Sequence, residues 1–62
     1  MTFFVLLVSV GLNLVEFSTY DSRQECERRE QDVVTNHTGE IDAVCIDVKN
    51  NQIVSFAGRS GF

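Results

Sequence analysis

Two cysteines, one histidine and a row of carboxylates are the side chains of this sequence with chemistry to offer. Cys26 and Cys45 could join in a disulfide, closing a loop of about 20 residues and contributing ~3 kcal/mol on a chain-entropy estimate. They could equally remain two buried thiols, packing as small hydrophobes, and a reducing compartment would keep them so. A metal site built from Cys26, His37 and Cys45 lacks the close cysteine pair of structural zinc sites and has no fourth ligand, so no metal is expected. His37, beside Thr38 and Gly39, reads as a helix-end residue. The acidic set is Glu25, Glu27, Glu30, Asp32, Glu40 and Asp42. Arg23 with Glu27, and Arg28 with Asp32, stand four apart, which makes part of this set a solvated helix face worth a few tenths of a kcal/mol per pair. The functional reading of the same six residues is an acidic patch that docks on a basic groove of another protein. Asn36-His37-Thr38 fits a glycosylation sequon, a three-residue match of low specificity. There is no nucleophile–base pairing, phosphate loop or glycine-rich cradle, and so small a chain has little room for a pocket. The expectation is a protein that is not an enzyme and holds no cofactor.

Composition narrows the field further. A chain of 62 residues makes one domain and buries only about 60% of the surface its unfolded form exposes. Domains of this size lean on a disulfide, a metal, oligomerisation or unusually good packing. A hydrophobic fraction of 44% with 23% charged residues is that of a globular protein. The net charge of −4 argues against a phosphate-backbone binder, which would carry a basic stripe, and does not point to an anionic membrane surface. It leaves a basic protein surface open as a partner. The apolar run from Phe3 to Val15 is too short for a spanning helix, which needs about 20 residues. No Lys or Arg precedes it until Arg23, which disfavours a signal peptide. The compartment expected is the cytoplasm, with periplasmic or secreted as the alternative.

The elements that must position these residues follow from periodicity. Thr2 to Val10 carries no charge, Gly or Pro, and both of its alternating faces are apolar: Phe4, Leu6, Val8 and Val10 on one, Phe3, Val5 and Leu7 on the other. Such a run belongs in the middle of a sheet. A turn at Leu12-Asn13 would pair Val10 with Val15 and Val8 with Phe17 in the second strand, Leu14 to Tyr20. Ser22 with Glu25 matches a capping box, with Asp21 and Gln24 as the shifted alternative. The helix then runs from Arg23 to about Thr35 and ends at Asn36 to Gly39, where Asn36 or Gly39 can take a left-handed cap. Its apolar face is thin (Cys26, Val33, Val34 and the stems of Arg29 and Glu30), so the helix is a lid rather than a driver of folding. Glu40 to Lys49 forms a third strand and Gln52 to Ala57 a fourth, joined by Asn50-Asn51 in a two-residue turn that would set Cys45 opposite Phe56.

The pattern is β-β-α-β-β, an α+β fold with a four-stranded, mainly antiparallel sheet in the order 2-1-3-4 and one helix on one face. Residues 1–57 make the domain and 58–62 a tail. A single helix leaves the other sheet face uncovered and apolar, which a soluble monomer tolerates poorly. Phe3, Val5, Leu7, Val54 and Phe56 are the expected interface of a homodimer.

Three pieces of sequence carry a resemblance: the apolar Phe4-Val5-Leu6-Leu7-Val8, then Tyr20-Asp21-Ser22 leading through Gln24-Glu25 to Cys26, and finally Cys45. In this the chain resembles short uncharacterised proteins encoded by enterobacterial phages and prophages. It departs at Cys45-Ile46-Asp47, where that group has an aromatic residue and Pro after the cysteine, and its cysteines lie further apart. The resemblance implies a phage or mobile-element origin without an inherited activity. It turns the expectation toward an inhibitor or modulator of a host protein or defence complex. The rival is a small secreted or periplasmic structural domain stapled by Cys26–Cys45.

Overall fold

The computed structural model describes residues 3–59. The strands are β1 (Phe4–Val10), β2 (Asn13–Tyr20), β3 (Ile41–Asp47) and β4 (Gln52–Arg59), with α1 (Arg23–Thr35) between the second and third. They form one sheet in the order β2-β1-β3-β4, every neighbouring pair antiparallel. This is the expected β-β-α-β-β arrangement. The uncharged β1 and the largely apolar β3 take the two central positions, their helix-facing residues mostly buried and the opposite ones half-buried between neighbouring strands.

Helix α1 begins as its sequence dictates. Ser22 is extended (φ −132°, ψ 150°), and its hydroxyl accepts the Glu25 backbone N–H at 3.2 Å. That bond satisfies one of the donors a helix start leaves unpaired, and it selects Ser22 over Asp21 as the cap. At the other end the Asn36 N–H closes on the Asp32 carbonyl at 3.0 Å. Asn36 itself stays right-handed, and Gly39 takes the positive φ of +94° that turns the chain toward β3.

Both hairpins depart from the expected register, for two different reasons. The first turn centres on Gly11 and Leu12, because Gly11 adopts φ +63°, a conformation that costs a residue with a Cβ about 1–2 kcal/mol. Val10 therefore faces Asn13 and Leu7 faces Phe17, with a bulge that leaves Val15 as the extra residue. In the second hairpin Asp47 intervenes. Its carboxylate accepts the N–H groups of Lys49 and Asn50 at 3.0 and 3.4 Å and the Asn50 side-chain amide at 2.8 Å, the local bonding by which Asp favours turns. The turn widens to Val48–Asn51, with Asn51 at φ +53°. Ile46 then faces Ile53 and Cys45 faces Ser55, with Val54 the extra residue. Everything after Val54 changes face: Ser55 and Ala57 turn toward the helix and Phe56 away from it. Gly58 and Arg59, read from the sequence as tail, continue β4. Thr2 and Ser60 to Phe62 lie outside the described residues.

The core is Leu6 and Val8 from β1, Ile41, Ala43 and Cys45 from β3, and Cys26 from the helix, flanked by half-buried Phe4, Val10, Tyr20, Val33, Val34 and Val54. It lies wholly between the sheet and α1. No helix among the described residues is long and apolar enough to cross a membrane.

Candidate interaction surface

Cys26 and Cys45 are joined in a disulfide, their Cα atoms 6.1 Å apart and 19 positions apart in sequence. Both are buried completely. Each sulfur is bonded to the other, so neither is a thiolate ligand. The bond ties the middle of the sheet to the first turn of a helix whose own apolar surface is small, and this is the strongest tether that helix has.

One helical turn after Cys26, Glu30 is also fully buried. Its Oε1 accepts the Ser55 hydroxyl at 2.6 Å, and its Oε2 has no partner among the described residues. Burial pushes the Glu30 carboxyl above the usual carboxylate range, with the Ser55 hydrogen bond opposing and the Glu27 charge adding to the rise. This residue is a correction to the acidic set: a carboxyl under the helix cannot reach a partner. The spacing from Cys26 to Glu30 placed both on one helix face in the sequence itself, and that was the signal for its burial.

The other acidic residues are scattered. Glu27 pairs with Arg23 as expected. Asp32 pairs with Arg29 at 3.1 Å rather than with Arg28, because Arg29 also reaches across to β2. There its guanidinium grips Glu16 in a fork, Nε to Oε2 at 3.1 Å and Nη2 to Oε1 at 2.9 Å. Those bonds hold the Glu16 carboxyl below the usual carboxylate range, against the opposing effect of partial burial. Asp42 alternates onto the face away from the helix, opposite Gly58. A Cβ at Gly58 would stand 2.6 Å from Asp42 Oδ1, so the glycine leaves the room that this carboxylate occupies. Glu25 and Glu40 remain exposed, with no ion pair or side-chain hydrogen bond among the described residues. The six carboxylates therefore do not form one patch.

The apolar surface is better organised. On the side away from the helix, Val5, Leu7, Val44 and Ile46 of the central strands make a half-buried floor. Around it stand Phe17 (64% exposed), Phe56 (64%), Ile53 (65%), Leu14 (60%) and Phe3 (39%). Phe3, Val5, Leu7 and Phe56 of the expected interface are on this face. Val54 is not, since the bulge packs it against the core. Leu14, Phe17, Val44, Ile46 and Ile53 were missing from the sequence-based set, although the pairing of Leu7 with Phe17 and of Val44 with Phe56 places them there.

The outer edges of the sheet are guarded. Both edge strands carry a bulge, and at the β4 bulge the Arg23 guanidinium donates to the Val54 carbonyl at 2.9 Å. Further along, Arg59 donates to the His37 carbonyl at 2.6 Å. A bulge on each edge strand and the occupied Val54 carbonyl hinder another strand from pairing there.

No protein-family model matches this sequence, and neither curated proteins nor solved structures provide a match.

Proposed function

We propose that this chain is a small non-enzymatic protein-binding module. The observation that carries the reading is the sheet face away from the helix, an apolar surface studded with Phe3, Phe17 and Phe56 and at the upper end of what isolated soluble domains leave in water, where such patches are often functional. A molecule of 62 residues that keeps such a surface does its work by contact. The resemblance to phage-encoded proteins directs that contact toward a host protein or defence complex, which the module would block or modulate. Two exposed carboxylates without an ion pair among the described residues, Glu25 in the first turn of the helix and Glu40 just before β3, are available to a basic target. Affinity capture from the host tests this, with wild type, Glu25→Arg/Glu40→Arg and Phe17→Ser/Phe56→Ser as baits. Specific capture by wild type, lost in one of the two variants, supports the reading and locates the contact. Identical capture by all three contradicts it.

The Cys26–Cys45 bond favours a second reading, a stapled domain of an oxidising compartment. Alkylating thiols at lysis and counting them after denaturation discriminates. No modified cysteine supports the stapled domain, and two support a reduced protein of the cytoplasm.

A further inference from the structure

We infer that the uncovered face is closed by the same face of a second copy, giving a face-to-face sandwich of two sheets with the two helices on the outside. The inference rests on the reading of the chain as a binding module and names one occupant for its apolar surface.

Three observations point to a copy of the same chain. The first is area. With an aromatic side chain carrying roughly 150–250 Å², the exposures of Phe3, Phe17, Phe56, Leu14 and Ile53 place on the order of 600 Å² on this face. A symmetric pair would bury about 1,200 Å² in total, above the ~1,000 Å² that specific interfaces need.

The second observation is charge. Among the described residues the face carries no Lys or Arg, and its single carboxylate, Asp42, lies near the end of β3 beside Gly58. A basic or acidic partner would find almost nothing there to pair with. The ionised side chains that give the chain its net charge of −4 lie mostly on the helix side and in the turns. In a face-to-face pair those groups are far apart, so like-charge repulsion is small. An apolar surface of matching extent is what this face requires, and its own copy supplies one.

The third observation is the state of the edges. Small β proteins can also associate by adding strand to strand, but the bulges in β2 and β4 and the Arg23 bond to the Val54 carbonyl oppose that route. Sheets that instead pack face to face lie about 10 Å apart. That spacing suits the low floor of Val5, Leu7, Val44 and Ile46, with Phe17 on one edge strand and Phe56 on the other closing the sides.

Light scattering on the purified, disulfide-bonded full chain tests the inference, across a dilution series that reaches high micromolar concentration. The comparison variants are Phe17→Ser/Phe56→Ser and, as a control off the face, Leu12→Ser in the first turn. The expected mass for wild type and Leu12→Ser is twice the 7.0 kDa of the chain. The expected mass for the double variant is half of that, with unchanged circular dichroism showing that it still folds. A wild type that stays monomeric throughout overturns the inference, as does a double variant that still pairs. A monomeric wild type that nonetheless captures a host protein through Phe17 and Phe56 overturns the second copy as occupant and leaves the binding module standing. A dimer that captures nothing does the reverse.

Discussion

A carboxyl group held out of water, with a hydroxyl on one oxygen and nothing on the other, is better off keeping its proton. Glu30 is in that position, and the desolvation that raises its pKa in the fold has a definite sign in stability. Because the folded-state value lies above the unfolded one, the contribution is fully present below the unfolded carboxyl pKa. It is lost as pH rises through the raised folded value. Ser55→Ala should cost about 1–3 kcal/mol, the penalty for leaving a buried acceptor unpaired. Glu30→Met combined with Ser55→Ala should recover that loss and flatten the decline of stability as pH rises from the unfolded carboxyl value through the raised folded one, as urea unfolding over a pH series would show. Glu16 behaves in the opposite sense. Its pKa is lowered by the Arg29 fork, so its contribution is present above the unfolded value and lost as pH falls through the lowered one. Glu16→Gln should therefore weaken the acid dependence and leave the alkaline side alone.

At the scale of elements, α1 is a lid fastened at few points: the disulfide, the Glu30–Ser55 bond, the Arg29 fork onto β2 and the Arg23 bond to β4. Cys26→Ser/Cys45→Ser should lower stability by about 3 kcal/mol. Hydrogen exchange should then accelerate more in α1 than in β1 and β3, because the variant loses the helix tether while the central strands keep their ladders. Ser22→Ala should cost about 1 kcal/mol through the lost cap. The identity and order of these elements were legible in the sequence. The uncharged run of β1, the Ser22–Glu25 spacing and the thin apolar stripe of α1 each pointed to one structure. The registers were not legible, because each hairpin hides a bulge whose cause is local. Gly11 drew the first turn one residue earlier, and the Asp47 carboxylate widened the second. A single inserted residue reverses which face every later side chain occupies, and this is how Val54 and Phe56, expected on one face, came to lie on opposite ones. Within the acidic set Glu30 departs for another reason: its charge marks it as solvated while its position four residues after Cys26 marks the buried helix face, and the position prevails.

The whole molecule is asymmetric in how it meets water. Its core and its disulfide lie between helix and sheet, whereas on the other side of the same sheet Phe17, Ile53 and Phe56 have no element packed over them among the described residues. If a second copy shields that side, folding and association are linked by mass action, and the melting temperature should rise with protein concentration. Phe17→Ser/Phe56→Ser should remove the concentration dependence. The most direct test observes the face itself, by isotope-filtered nuclear Overhauser spectroscopy on a mixture of labelled and unlabelled chains. Cross-peaks between the rings of Phe17 and Phe56 in one copy and the methyl groups of Val5, Leu7, Val44 and Ile46 in the other are the predicted result. Intermolecular peaks that arise only from the β2 or β4 edges, or none at all while those methyl groups stay in contact with water, would contradict it.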